Sequence, residues 1–107
     1  MRYFDTRFLD EADEFMAVLN PKTVKKILYN IDLAEQTNDS RLFKKLKKDI
    51  WELRTQYEGL QIRLLAFWDK SANTLVICTH GFVKKTGKVP QKEIEKAENL
   101  RNQYFKK

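Results

Sequence analysis

The chain has few of the residues from which many reactive centres are built. Its 107 residues include one cysteine, one histidine and three glycines. A lone cysteine excludes an internal disulfide, and one cysteine with one histidine excludes a cluster of such metal ligands. The glycines, Gly59, Gly81 and Gly87, are too far apart for a glycine-rich phosphate loop. The apolar surroundings of Cys78 (LVICTH) predict a small buried side chain rather than a nucleophile.

Long apolar segments are missing as well. No run approaches the roughly 18 residues that a membrane-spanning helix needs, so no membrane partner is expected. The segment 1–15 is acidic and lacks the apolar centre of a secretory signal. We therefore expect a cytoplasmic protein, and a length of 107 residues predicts one domain over residues 1–107.

Positive charge is abundant and unevenly distributed. The net charge is +6, yet residues 1–40 hold 5 basic and 8 acidic side chains, whereas residues 41–92 hold 12 basic and 4 acidic ones. Such a patch indicates a nucleic acid or an acidic protein as partner. A lysine-rich face that is merely solvated is the alternative, since such faces are common.

Three β-prone segments follow one another in the basic region. Ile50–Tyr57, Leu60–Trp68 and Thr74–Val83 are rich in aromatic and β-branched residues, and short turns separate them. They predict an antiparallel meander. Its aromatic side chains are candidates for base stacking, although core packing is the favoured interpretation for most of them. These side chains are Trp51, Tyr57, Phe67 and Trp68.

The first turn predicts a specific register. A two-residue hairpin loop at 58–59 pairs Tyr57 with Leu60 and places Arg54 directly opposite Arg63. Like charges in that position destabilise a sheet. An anion is therefore expected beside them, either from a ligand or from the carboxylate of Glu52, which lies one diagonal step from Arg63.

Helical patterns flank the meander. Two apolar stripes separated by Asn20-Pro21 predict a helical hairpin, and residues 41–48 predict one or two helical turns with lysines outside. A short strand is expected at Met1–Asp5, and a last helix is expected from Pro90. The predicted class is α+β: a helical hairpin, then a three- to four-stranded antiparallel sheet, then a C-terminal helix. The stripes are Phe8, Ala12, Phe15, Met16 and Leu19, then Val24, Ile27, Leu28, Ile31 and Ala34.

Several motifs resemble a known family. LFKKLKKDIWELR (42–54), IRLLAFW (62–68) and HGFVKKTGKVPQKEIEKAENLR (80–101) are similar to the HigB branch of the RelE/ParE toxin superfamily, a group that includes phage-derived toxins. The resemblance covers nearly the whole chain. It implies the RelE-like fold and a toxin of a type II toxin–antitoxin pair. Such toxins cut mRNA in the ribosomal A site by attack of a 2′-hydroxyl on the adjacent phosphate, with no metal or cofactor.

The resemblance also implies roles for basic residues of this chain. Arg54 and Arg63 would clamp the scissile phosphate, and His80 would be the acid–base group because its ordinary pKa lies near neutrality. Lysines would hold phosphates or donate a proton: Lys84, Lys85 and Lys88 after the meander, and Lys44, Lys45, Lys47 and Lys48 before it.

The position of His80 stays open. If Trp68 lies opposite Thr74, then Thr79 faces Arg63, whereas pairing Asp69 with Thr74 brings His80 there. The bland alternative is a histidine at a strand end that bonds to nearby backbone. Tyr104 is not expected to be catalytic because its spacing places it on the face of the last helix that packs on the sheet.

Partners and alternatives follow from the resemblance. A HigA-like antitoxin would cover the basic face, the ribosome and mRNA would be targets, and promoter DNA would be bound only by the toxin–antitoxin complex. The competing hypotheses are a ParE-like toxin that inhibits DNA gyrase, and a nucleic-acid-binding module without catalysis. Codon-phased cleavage of messages would distinguish the ribonuclease hypothesis from these two alternatives.

Overall fold

A five-stranded sheet with helices on both faces forms the molecule. The computed structural model describes residues 2–72 and 74–106. Strand order is β1-β5-β4-β3-β2, and every pairing is antiparallel except that of β1 with β5. The predicted α+β class is thus confirmed. The elements are β1 (Asp5–Phe8), α1 (Asp10–Ala17), α2 (Pro21–Thr37), β2 (Phe43–Lys47), β3 (Ile50–Tyr57), β4 (Leu60–Asp69), β5 (Leu75–Val83) and α3 (Gln91–Phe105).

The sheet has more strands than the three to four predicted, and its first strand is displaced. Met1 of the predicted strand lies outside the described residues, and β1 runs from Asp5 to Phe8, parallel to β5. Phe8, assigned to the first helical stripe, therefore belongs to a strand. The helix begins only at Asp10.

The segment 41–48 was wrongly predicted as helical. It contains β2, an edge strand paired with β3 and interrupted by a bulge between Lys45 and Lys47. Phe43 is buried and stacks on Trp51, with 4.8 Å between ring centroids. Contacts of this kind require pairing with the next strand, β3, and they override the local helical spacing.

The helical hairpin is confirmed and covers one face of the sheet. Asn20 caps α2 by accepting a hydrogen bond from the Lys22 amide at 2.8 Å, and Pro21 occupies the first turn. Leu28 is an exception to the predicted stripe because its side chain is exposed. The residues of α1 and α2 that are buried against the sheet include Ala12, Met16, Ile27, Ile31 and Ala34.

The other face carries α3. Ile94 and Ala97 pack on Ile50 and Leu65, and further along the helix the Tyr104 ring contacts Phe67. The predicted orientation of Tyr104 toward the sheet is therefore confirmed.

Among residues 2–72 and 74–106, no helix combines the length and apolar character needed to cross a bilayer.

A β-bulge shifts the second half of β5. Ala66 pairs with Cys78, but the next residue of β4, Leu65, pairs with His80, so Thr79 is the extra residue. Gly81 then lies on the face covered by α1. A Cβ atom there would lie 2.8 Å from Leu64 Cδ2 and closer still to the Phe15 ring.

Candidate phosphate-binding site

Arg54 and Arg63 lie side by side, as the hairpin register predicts. Tyr57 pairs with Leu60, Arg54 with Arg63, and Phe82 of β5 lies on the other side of Arg63. Alternation along the strands places both arginines on the α3 side of the sheet. The two cations are therefore held by adjacent strands of the protein's central meander.

A buried carboxylate joins the two arginines. Glu52 Oε1 lies 3.3 Å from Arg54 Nε and 3.6 Å from Arg63 Nε, and the Glu52 side chain is only 5% exposed. Glu52 is thus the carboxylate expected beside the like-charge pair, but it and Arg63 are buried rather than solvated. One carboxylate against two guanidinium groups still leaves this cluster with one excess positive charge.

Arg63 is the most deeply buried of these groups. Its side chain is 2% exposed, and it donates to the Ile62 carbonyl and to Gln61 Oε1, each at 3.0 Å. Its Nε has no hydrogen-bond partner among the described residues. Burial lowers the pKa of Arg63, Arg54 adds to that effect and Glu52 opposes it, but a guanidinium remains charged at neutral pH.

A groove of about 420 Å³ opens beside these arginines, along the part of β3 that extends beyond its pairing with β2. Among the described residues, those that line it include basic and amide side chains but no carboxylate. Arg41 contributes little free charge because its guanidinium lies 2.7 Å from Asp39. The lining side chains that the sequence analysis did not single out include Lys26, Asn30, Gln56 and Gln61.

The positions of Gln56 and Gln61 were predictable from the sequence. The hairpin register also pairs Gln56 with Gln61, so their place beside the arginines follows from the same turn. Lys26 reaches the groove from α2, and its approach depends on how the helical hairpin lies on the sheet. Sequence spacing carries no signal for that contact.

His80 occupies neither of its two predicted positions. Because of the bulge, Phe82 faces Arg63 and His80 faces Leu65. The His80 side chain is 3% exposed, with Nε2 3.0 Å from Glu93 Oε1 and Nδ1 2.9 Å from Thr79 Oγ1. Burial lowers the pKa of His80, while the hydrogen bond to Glu93 opposes this effect. The ring thus links β5 to the first turn of α3.

The predicted lysines lie around this site at different distances along the sheet. Lys84 directly follows β5, is half-buried, and donates its backbone N–H to the Gln61 carbonyl at 2.7 Å. Lys85 and Lys88 are exposed in the loop that follows. The remaining four are exposed on or just after the edge strand β2: Lys44, Lys45, Lys47 and Lys48.

The cysteine of the chain lies in the core. Cys78 is buried as predicted, and burial raises the pKa of its thiol far above the ordinary range. A thiol in that environment is a packing group rather than a nucleophile. Within residues 2–72 and 74–106, no three His, Cys, Asp or Glu side chains are arranged to hold a metal ion.

Solved structures with the same architecture define the class of fold. The chain is similar to a variant of the E. coli toxin RelE with two arginines changed to alanine (TM-score 0.65, 14% identity, 94% of this chain and 98% of that one). It is also similar to chains from the toxin–antitoxin complex RelBE2 of Mycobacterium tuberculosis (0.61, 18%, 78% and 100%) and the archaeal RelE–RelB complex of Pyrococcus horikoshii (0.53, 11%, 81% and 99%). The protein has the RelE fold.

A family model identifies the protein more closely. The model of phage-derived Gp49-like proteins matches residues 14–102, and the chain belongs to this family. Among proteins with curated functions, none matches its sequence significantly. The predicted resemblance to the RelE superfamily, including its phage-derived members, is confirmed at the level of family and fold.

Proposed function

We propose that this protein is the toxin of a type II toxin–antitoxin pair and cuts mRNA on the ribosome, as the HigB branch does. The family and the fold support a toxin of this superfamily. The observation that carries the proposal is the convergence of Arg54, Arg63 and Glu52 beside a groove whose described lining has no carboxylate. Such a site suits a phosphate of a polyanion.

The arginines would act on the charge that develops at the scissile phosphate. When the 2′-hydroxyl attacks, the phosphorus gains an oxygen ligand and negative charge accumulates on its equatorial oxygens. A guanidinium can donate two parallel hydrogen bonds to such oxygens. Because Arg63 is held by the Ile62 carbonyl and Gln61, it needs little reorganisation during the reaction, which is the condition for strong electrostatic stabilisation.

Proton transfer is assigned to groups beyond the clamp. Lys84 lies at the end of the strand next to Arg63 and, with Lys85 and Lys88, is proposed to hold phosphates or protonate the leaving 5′-oxygen. His80 remains the acid–base candidate from sequence. Its two ring nitrogens already bond to Thr79 and Glu93, so the geometry supports a role in holding α3 against the sheet. For His80 to transfer a proton to or from RNA, at least one of these two hydrogen bonds would have to break.

The partners follow from this proposal. A HigA-like antitoxin would inhibit the toxin by covering the basic groove, and promoter DNA would be bound by the two proteins together. Two of the similar structures are the RelBE2 toxin–antitoxin complex and the archaeal RelE–RelB complex, which supports an antitoxin as partner. Because the proposed targets are ribosomes and messages, the toxin would act in the cytoplasm. The proposed toxin domain spans residues 1–107.

The test is inducible expression in bacteria followed by primer extension on abundant messages. We expect codon-phased cuts, and we expect Arg54→Ala or Arg63→Lys to reduce them about 100-fold, a typical loss for one transition-state donor. Arg63→Lys keeps the buried charge and removes the planar fork. Arg7→Ala, on the exposed edge strand β1, is the matched control and should cut normally.

Other outcomes would point elsewhere. Growth arrest with intact messages and damaged DNA would replace this proposal by the gyrase-inhibitor hypothesis. Folded protein that neither arrests growth nor cuts messages would leave a binding module. Normal cutting by both clamp variants would show that the arginines do not act on the scissile phosphate.

A further inference from the structure

A second, larger groove lies at the opposite end of the strands. Its volume is about 730 Å³, and it opens where β2 turns into β3 and where β4 ends. We call it the strand-end groove. Four cationic side chains line it, and three of them are exposed lysines. They are Lys45, Lys48, Lys70 and Arg101.

The carboxylates of this groove do not balance its cations. Asp69 accepts hydrogen bonds from the Tyr104 hydroxyl at 2.7 Å and the Ser71 hydroxyl at 2.6 Å. These bonds hold the pKa of Asp69 below its ordinary value. Asp49 lies 3.7 Å from Arg101. Two carboxylates against four cations leave an excess of positive charge in the groove.

Arg101 is incompletely satisfied. Its Nε is buried and has no hydrogen-bond partner among the described residues. Its guanidinium carbon lies 5.1 Å from the centre of the Phe105 ring, and Phe105 is 45% exposed. A buried donor without a partner is costly, so the groove presents a cation that gains from an incoming acceptor.

Aromatic rings form part of the wall. Trp51 and Trp68 are partly exposed and meet edge to face, with 6.0 Å between ring centroids. They are the two tryptophans of the chain. Together with Phe105 they offer apolar ring surface next to fixed positive charge, which is the combination that single-stranded nucleic acids favour.

The backbone at Lys48 is unusual for a lysine. Its φ is 51°, in the left-handed region that favours glycine or asparagine. Lysine is therefore not the residue that best suits this turn. Its side chain lines the strand-end groove. The unfavourable backbone conformation is therefore accompanied by a positive charge in the groove.

The lysines of β2 connect the two grooves. The Leu42 carbonyl, just before β2, accepts a hydrogen bond from the Arg54 amide at 2.8 Å, and Lys48 follows β2 at the other groove. At about 3.3 Å per residue, a fully extended chain from Lys44 to Lys48 would span at most about 13 Å. Exposed lysines at 44, 45, 47 and 48 thus mark a basic edge between the clamp and the strand-end groove.

We propose that the strand-end groove binds single-stranded RNA that flanks the cleaved phosphate, with a base against the aromatic wall and phosphates on the lysines. The inference rests on the proposed function in taking RNA as the ligand, but it requires no cleavage. An acidic polypeptide would satisfy the cations and leave the ring surface unused, so the groove favours a nucleotide.

Tryptophan fluorescence tests this proposal directly, because both tryptophans line the groove. The probe is a 2′-O-methyl hexanucleotide, which lacks the hydroxyl needed for the proposed cleavage. Titration of the full chain should quench the emission to saturation. The double variant K48N/K70A should weaken binding on the order of tenfold, as expected for the loss of two phosphate contacts.

The variants keep folding separate from binding. Asparagine is well suited to the left-handed turn at position 48, so K48N preserves the backbone. K22A/K25A removes two exposed lysines of α2 and should leave the dissociation constant within about twofold, since these lysines make no proposed phosphate contact.

Three results would overturn the proposal: no saturable quenching, equal weakening by K22A/K25A, or stronger binding of a hexaglutamate peptide than of the oligonucleotide. Its failure is distinguishable from failure of the proposed function. Quenching that depends on Lys48 and Lys70, without message cleavage by the native protein, would support the groove and refute the ribonuclease.

Discussion

Glu52 places a negative charge where the proposed reaction needs positive charge. Its carboxylate lies within 3.6 Å of both clamp arginines and is buried. Two guanidinium groups so close together repel each other unless an anion lies between them. Glu52 therefore acts as the resident counterion that keeps the arginines in place before any phosphate arrives.

We predict that Glu52→Gln lowers the free energy of unfolding by about 3 kcal/mol, since it leaves a buried cation uncompensated. Urea titration at pH 7 measures this loss. Inorganic phosphate should restore more stability to the variant than to the native protein, because the anion replaces the missing carboxylate. Equal effects of phosphate on the two proteins would argue against an anion site between the arginines.

His80 gives the protein a pH-dependent stability. Its pKa in the fold lies below the ordinary value of 6.5, so the folded state binds the proton less readily than the unfolded chain. The contribution of His80 is fully present above about pH 6.5 and is lost as pH falls through the lower, folded pKa. Nearby Glu93 and Glu11 oppose this shift and Lys96 supports it.

We predict that the native protein loses stability as the pH falls from about 7.5 to about 5.5 and that His80→Gln loses less over the same interval. Glutamine keeps a donor and an acceptor but does not titrate. Urea midpoints at the two pH values, for both proteins, provide the comparison. Parallel pH profiles for the two chains would assign the dependence to another group.

The two residue clusters differ in how far sequence could predict them. The Arg54–Arg63 pair and Glu52 follow from one two-residue turn and strict alternation. The surroundings of His80 depend on an extra residue in β5, and the apolar run LVIC gives no change of alternation to reveal it. Both registers considered for His80 were wrong because Asp69 pairs with Leu75 rather than Thr74 and because the bulge shifts the later pairs by one more residue.

At the scale of elements, α1 contacts β5 where a side chain is missing. The Phe15 ring occupies the space above Gly81. We predict that Gly81→Ala costs about 2 kcal/mol of stability through overpacking. At Gly87 a Cβ atom would meet no other atom within 4 Å, so Gly87→Ala is the matched control and should change stability little.

Coupling identifies the cause of the Gly81→Ala effect. Combining it with Phe15→Leu should recover part of the loss, because the smaller side chain vacates the contested space. Additive losses in thermal unfolding would contradict a direct clash and would indicate that alanine disturbs β5 by another route.

Element boundaries were predictable where capping and turns define them. Asn20-Pro21 and the turn at 58–59 fixed α2 and the central hairpin, and β3 and β4 begin at the predicted residues. β2 was missed because Leu42, Phe43 and Leu46 also fit a helical face. Only its pairing with β3 and the stacking of Phe43 on Trp51 distinguish the two.

At the scale of the whole molecule, the acidic and basic parts of the sequence form different parts of the fold. The acidic first forty residues supply β1 and the α1–α2 layer, whereas residues 41–92 supply the other four strands. The sequence therefore predicted a basic sheet correctly. It could not predict two separate grooves, since these depend on which parts of the sheet α2 and α3 leave open.

The bulge at Thr79 shifts the alternation of β5 side chains between the two faces of the sheet by one residue. Before it, the odd-numbered Leu75 and Ile77 point toward the Tyr104 side, and after it the even-numbered His80 and Phe82 do. Deleting Thr79 would remove the bulge and keep His80 opposite Leu65 on its present face, whereas a one-residue deletion elsewhere in β5 would move neighbouring side chains to the opposite face of the sheet. Away from Thr79, length variation within β5 should accordingly be tolerated far less than substitution, and related chains that align without gaps across this strand are the ones expected to share its site.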